Sequence, residues 1–327
     1  MQKKYCITLR SEGQRLEHRT HKPGVGGSIP PLATTVIMKL SVIIISFQSD
    51  HLLKKTLMSF SKKHQIIIVE NSMLKSTKKF EKQFKNISII TPNENLGYSR
   101  AFNLALKKCT NKFVLTLTPD VLINKNLIIK LEKIIDKLKN FTLLAPEYKN
   151  QKIYKNYISF NNSKFKKDKI YGFKIEEVKE IDWCFCVINK RKFNNSKILD
   201  ENFFMYFETI DLCKKLINLK HKMYIIKGLK FDHLGTSSSN KKYNNEILIN
   251  RNWHFSWSKF YFFKKNYNYF FALKKMIPNI YQNILGIILS LIMFNFFDVK
   301  LHLASLMGAL NGIFLNKSLY RPNLKIK

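Results

Sequence analysis

Between residues 39 and 139 the chain alternates short apolar runs with stretches of helical period. KLSVIIIS (39–46), QIIIVE (65–70), NISIITP (86–92) and FVLTLTPD (113–120) are brief, mostly rich in β-branched residues and bounded by polar turns. That is the pattern of strands buried on both faces. Residues 52–60, NENLGYSRAFNLALKK (93–108) and LIIKLEKIIDKLK (127–139) place their apolar residues at helical spacing. Strands alternating with helices over this length predict an α/β fold with a mostly parallel, doubly wound sheet. Ligands of such sheets sit at the carboxyl ends of the strands, around the topological switch point.

The second half is more mixed. A lysine-rich stretch (149–169) precedes a strand-like IDWCFCVI (181–188), then FFMYFETIDLC (203–213) and a strand MYIIKGLKFDH (223–233) followed by the loop GTSSSN. From about residue 243 aromatic and basic residues dominate, as in RNWHFSWSKFYFFKK (251–265). The following MIPNIYQNILGIILSLIMFNFF (276–297) has no charged residue. It is long enough to span a bilayer, but Pro278, Asn279, Gln282, Asn283 and Asn295 favour an interfacial or packed helix over a span. Its flanking lysines suit an anionic membrane surface.

Residues 1–37 break the pattern. They hold Gly, Pro and Arg where the rest has Lys, Asn and Ile, they show no hydrophobic period, and they contain no apolar core of a signal peptide. A fresh start at Met38 directly precedes the first strand. The expected organisation is therefore an unstructured extension or mis-assigned start (1–37), a main α/β domain (38–240) and a helical, membrane-proximal region (241–327).

Polar residues collect where the predicted strands end. The first strand leads into Ser46, Phe47 and Gln48, and the second into Glu70, Asn71 and Ser72. Asn95, Gly97, Arg100 and Asn103 open the helix after the third, while the fourth ends in Thr118, Pro119 and Asp120. Any one is an ordinary strand boundary; four on one rim make a site candidate.

Composition adjusts this picture in two ways. With 57 Lys and Arg against 22 Asp and Glu, the net charge of +35 favours anionic partners. The lysines are spread along the whole chain, which points to a diffusely basic surface rather than a specific nucleic-acid groove. Five cysteines without CxxC spacing indicate reduced thiols in the cytoplasm.

VIIISF, IIIVENS, NENLGYSRAFN, VLTLTPD, FFMYFETIDLC and FDHLGTSSS occur in the order and spacing of family 2 glycosyltransferases. The chain resembles that family over residues 40–239, most of all its rhamnosyltransferase-like branch. The resemblance implies a GT-A fold, a nucleotide-diphosphate sugar donor and a divalent metal, Mg²⁺ or Mn²⁺. It places Ser46, Phe47, Gln48, Glu70 and Asn71 at the base and ribose, and Asn95, Gly97, Arg100, Asn103 and Pro119 beside the nucleotide. Asp120 corresponds to the last acid of the metal motif, and His233 to the histidine that completes the metal site. Glu208 and Asp211 correspond to the acidic motif on the acceptor side.

The chemistry needs such groups. Negative charge grows on the leaving diphosphate, and a metal held by carboxylate and imidazole neutralises it. The attacking hydroxyl must lose a proton, and a carboxylate among Phe203, Phe204, Tyr206 and Phe207 is desolvated towards a useful pKa. Three departures stand out: Thr209 replaces an acid next to Glu208, Glu70 is a methylene longer than usual, and 183–186 replaces a Gly-containing acceptor segment. The expected activity is inverting, metal-assisted transfer of a sugar, rhamnose among the options. The acceptor would be a cell-surface polysaccharide or lipid-linked glycan, and the enzyme peripheral at the cytoplasmic face of the membrane. A degenerate scaffold protein and a polyanion-binding module are the alternatives.

Overall fold

The computed structural model describes residues 40–151, 155–160, 169–195, 197–234 and 243–321. The expectations for residues 1–37 and the loop 235–240 lie outside them.

The alternating half folds as β1 (Leu40–Ser46), α1 (Asp50–Leu57), β2 (Gln65–Glu70), α2 (Lys79–Gln83), β3 (Ile87–Ile90), α3 (Gly97–Lys108), β4 (Phe113–Leu117), β5 (Val121–Leu122) and α4 (Lys125–Leu138). β6 (Leu143–Tyr148), β7 (Tyr157–Ser159), β8 (Lys169–Ile170), β9 (Phe173–Ile181) and β10 (Phe185–Asn189) come next, then α5 (Glu208–Asn218) and β11 (Met223–His233). Three long helices close the described chain: α6 (Asn244–Asn266), α7 (Tyr269–Ile292) and α8 (Phe296–Ile313).

The main sheet runs β3-β2-β1-β4-β10-β6-β11-β9-β7. β1 pairs in parallel with both β2 and β4, so the chain reverses its direction of winding there. The carboxyl ends of β1 and β4 thus border the crevice where such sheets bind ligands. Beyond β4 the sheet departs from the expected parallel order, because β10 is antiparallel to both β4 and β6 and β9 is antiparallel to β11.

Apolar side chains on the two faces form two cores. One packs Leu53, Phe80, Leu131 and Ile135 beneath α1, α2 and α4; the other packs Ala101, Phe102, Leu212 and Leu216 beneath α3 and α5. Both sides of the strands are therefore covered, which is why their sequences are continuously apolar.

Two boundaries differ from the reading of the sequence. IDWCFCVI is not one strand: Asp182 accepts a hydrogen bond from the Cys184 N–H at 2.8 Å, which makes a turn between β9 and β10. The fourth strand stops at Leu117, and the chain after Asp120 forms β5, which pairs antiparallel with the end of β11.

Candidate active site

The β5–β11 pairing has a chemical consequence. It aligns Val121 with His233 and lets the Asp120 carbonyl accept from Leu234 N–H at 3.0 Å. Asp120 Oδ1 then lies 3.0 Å from His233 Nε2, and the carboxylate is almost wholly buried. The contact is at ion-pair distance but lacks hydrogen-bond alignment, so Asp120 Oδ1 is a buried oxygen with no hydrogen bond. Burial opposes ionisation of Asp120, and His233 outweighs it, holding the carboxyl below its usual pKa. Burial likewise disfavours the His233 cation, and Asp120 more than reverses this.

The other strand ends are tied together by hydrogen bonds. Asn71 N–H donates to the Ser46 carbonyl at 2.8 Å, and Asn71 Nδ2 donates to the Gly97 carbonyl at 2.9 Å. Leu96 N–H returns a bond to Asn71 Oδ1 at 3.0 Å, and Asn95 Oδ1 accepts from Gly97 N–H at 3.0 Å. Phe47 sits in a tight turn with Ser49, and Gln48, at a φ of 55°, donates its N–H to Ser72 Oγ. Glu70 is buried and raised in pKa by desolvation, although Ser72 and Leu74 both donate to it. Pro119 is buried, its carbonyl facing Thr56. Ser46 Oγ is buried with no hydrogen-bond partner.

Gly97 connects this rim to the acidic motif. Tyr98 N–H donates to the Phe204 carbonyl at 2.6 Å, and a Cβ on Gly97 would lie 2.4 Å from that oxygen and 2.5 Å from the Phe204 ring. The residue also has a φ of 70°, which a side chain adopts at a cost. Gly97→Ala is therefore expected to lower unfolding stability by about 3 kcal/mol, from backbone strain plus overpacking. Urea denaturation would measure it; a loss under 1 kcal/mol would show that the Phe204 loop simply moves aside.

The acidic motif starts α5. Tyr206 and Phe207 both adopt positive φ, 67° and 65°, an unusual conformation for aromatic residues. The bend delivers Glu208 to the first helical position, buried, with Oε2 lacking a hydrogen bond. Burial pushes Glu208 up to about 7, and the charge of Asp182 adds to the effect. Asp182, whose place in an apolar run was the only hint in the sequence, also acts on His233 and on the buried Tyr98 hydroxyl. Its charge thus acts on both His233 and Glu208.

Three of the residues named from the sequence have other partners. Asp211 accepts from Lys265 Nζ at 2.6 Å and Asn266 Nδ2 at 2.7 Å, locking α5 to α6. Asn103 spends its whole amide on the segment 198–201: Nδ2 donates to the Leu199 carbonyl and Glu201, and Oδ1 accepts from Ile198 and Leu199 N–H. Nothing of it is left for a nucleotide. Arg100 pairs with Glu94 at 2.9 Å on the surface. It also lines a cavity of about 270 Å³ beside Phe204, together with Tyr261, Lys264, Lys317 and Arg321.

Lys265 also pairs with Asp200 at 2.7 Å, so one ammonium neutralises two carboxylates. That pairing holds the Asp200 carboxyl below its usual pKa despite burial, and raises that of Lys265. Lys265→Met is expected to cost about 2 kcal/mol, because it strands two partly buried acids. The wild-type advantage is present above the unfolded-state Asp pKa and fades as pH falls through the depressed folded-state pKa. Thermal melts of both proteins at pH 7 and pH 3 would check this; an equal gap at both values contradicts the pairing.

Residues 41–196 match the sequence profile described as Glycosyl transferase family 2. Over those residues the chain is similar to the family 2 glycosyltransferases. It is 25% identical over 195 residues to the low-salt glycan biosynthesis hexosyltransferase Agl10 of Haloferax volcanii, an alignment covering 55% of this chain and 62% of that protein. Among solved structures, the mannosyltransferase PcManGT of Pyrobaculum calidifontis, in complex with GDP-Man and Mn²⁺, superposes with a TM-score of 0.50 at 10% identity. That match covers 85% of this chain and 88% of the other. The fold of the glycosyltransferase domain is thus GT-A, followed by a helical C-terminal region.

The PcManGT complex contains Mn²⁺, and the chemistry of Asp120 and His233 would suit such an ion. A buried carboxylate oxygen stands 3.0 Å from an imidazole nitrogen, a pair of groups of the kind that ligate Mg²⁺ or Mn²⁺. Among the described residues no third His, Cys, Asp or Glu joins them in a cluster.

Proposed function

We propose that the protein transfers a hexose from a nucleotide-diphosphate donor to a hydroxyl of a glycan or lipid-linked acceptor, with inversion. The observation that carries this reading is a pair of buried acids in environments that push their pKa values apart: Asp120, ion-paired with His233, and Glu208, whose Oε2 lacks a hydrogen bond. A permanently ionised carboxylate suits cation binding, and a carboxyl near 7 suits proton transfer.

Ser46, Phe47, Gln48, Glu70 and Asn71 form the floor for the nucleotide, with Asn95 and Gly97 closing one side. Asp120 and His233 would hold Mg²⁺ or Mn²⁺, which when bound supplies positive charge against the departing diphosphate. Glu208 accepts the proton of the attacking hydroxyl, and its placement at a helix start leaves Oε2 free to do so. Thr209 then needs no compensation, because the neighbouring glutamate takes the proton. Asp211 positions α5 against α6. The basic cavity beside Phe204 offers room for an anionic acceptor group, and the basic, aromatic tail supports a site at the cytoplasmic face of an anionic membrane. Rhamnose is one candidate sugar, carried over from the resemblance alone.

Transfer assays with UDP-, GDP- and dTDP-sugars in Mn²⁺ or Mg²⁺, paired with thermal shift by the free nucleotides, test the reading. Turnover with one donor and stabilisation by its nucleotide are expected. A folded protein with neither response is a scaffold. Nucleic-acid binding that falls steeply with salt and ignores Asp120→Asn marks a polyanion binder instead.

A further inference from the structure

Helix α7 is built inside out for a protein in water. Its buried positions are Ala272, Met276, Asn283 and Ser290, while Ile277, Tyr281, Ile284, Ile288 and Ile292 face outward at 45–67% exposure. The turn into α8 is more exposed still, with Met293 at 75% and Phe294 at 79%. On α8 the outward stripe is Phe296, Leu303 and Met307, with exposed Lys300 on the same face, and Phe314 follows at the helix end.

Several polar groups of these helices point inward and bond to one another, although Gln282, Asn295 and Lys300 are exposed. Ser256 and Ser305 hydroxyls meet at 2.7 Å, Ser256 Oγ donates to Asn279 Oδ1 at 3.3 Å, and His302 Nδ1 lies 3.0 Å from Asn283 Oδ1. The buried residues of α8 are all small: Ala304, Ser305, Gly308, Ala309 and Gly312. A Cβ on Gly308 would lie 2.0 Å from the Trp253 carbonyl oxygen, so α8 and α6 touch backbone to backbone. Small residues and polar bonds at the seam, with apolar side chains outside, are how helices pack when lipid surrounds them.

We propose that the α7–α8 hairpin seats its apolar face in the hydrocarbon of one leaflet of an anionic membrane. This fixes the residues and the geometry of the membrane contact raised above, and does not depend on the transfer reaction. Charge complementarity names the occupant. Residues 276–297 carry no charge, and exposed Lys274 and Lys275 stand at the start of the uncharged stretch where headgroups would lie. Attachment limits the depth. The inner face of α8 lies along α6, which is bolted to the catalytic domain through Ser258 to the Met205 carbonyl, Tyr261 to Asp200, and Lys265 to Asp200 and Asp211. A hairpin standing across the bilayer would pull α6, with Arg251, Lys259 and Lys264, into hydrocarbon. Lying on its outer face, the hairpin buries its apolar stripe and leaves those charges in water.

Flotation of the full chain with vesicles tests this. Wild type is expected to float with phosphatidylcholine vesicles containing phosphatidylglycerol, and to stay largely bound when salt is raised after binding, since apolar contact is not screened. Ile288→Glu with Phe294→Glu, both at exposed positions, should cut partitioning at least tenfold while the melting temperature and donor hydrolysis stay unchanged. Lys274→Glu with Lys275→Glu should remove the preference for anionic vesicles. Unchanged flotation of the Ile288/Phe294 variant overturns the proposal, as does a wild type that never floats. A stable dimer in light scattering that the same variant dissociates means a second copy covers the face, which also overturns it. Labelling of Phe294→Cys by a maleimide trapped inside the vesicles means a span, and overturns the single-leaflet geometry. Flotation needs no turnover, so its result stands whether or not a sugar donor is found.

Discussion

Asp120→Asn is expected to lower kcat/KM for sugar transfer by about 10³-fold while leaving the fold intact. Asparagine keeps the shape but removes the charge, and a cation held at a transferring diphosphate is worth several kcal/mol, of which about 4 kcal/mol corresponds to that factor. Stability should fall only modestly, because the charge removed is one that His233 holds favourably ionised despite its burial. A second readout separates cation binding from general damage. Thermal stabilisation by Mn²⁺ with nucleoside diphosphate should be present in wild type and absent in the variant. Turnover within tenfold of wild type, or an undiminished Mn²⁺ response, would remove Asp120 from the site.

Glu208→Gln is expected to lower kcat by 10²- to 10⁴-fold, the usual contribution of a positioned general base. The pH profile carries the sharper signature. Burial raises Glu208 to about 7, so the group is protonated and inactive as a base below that value. Wild-type activity should climb as pH rises through about 7, and the residual activity of the glutamine variant should not show that step. Asp211→Asn is the control: it loosens the Lys265 contact and lowers stability, yet should keep kcat within tenfold. If Asp211→Asn abolishes turnover in a folded protein while Glu208→Gln does not, the two roles are exchanged. Thr209→Asp would add a second acid beside Glu208 without being needed for turnover.

The two acids illustrate what a sequence can and cannot say. FFMYFETIDLC places Glu208 and Asp211 three apart in a helical first turn, chemically alike and equally eligible. Their difference lies in partners brought from elsewhere. Lys265 and Asn266, more than fifty residues away, occupy both oxygens of Asp211, whereas Glu208 meets only its own backbone and the field of Asp182. Asn103 shows the same effect, its amide consumed by a segment about ninety-five residues downstream.

Local pattern alone determined the strands β1 to β4, the helices α1, α3 and α4 and the collection of polar residues at one rim, but not α2. Side-chain period and turn chemistry are properties of neighbouring residues, and short apolar runs rich in β-branched residues suit strands covered on both faces. Motif order extended this to the family and the GT-A fold. Tertiary structure decided the rest. It reversed β10 within the sheet, brought Asp120 to His233 through the β5–β11 pairing, and put the charge of Asp182 within reach of both His233 and Glu208. It also turned the uncharged stretch 276–297 into a hairpin with its polar side inward. Each of these depends on contacts between residues far apart in the chain, where pairing and burial choose among groups that look equivalent along the sequence.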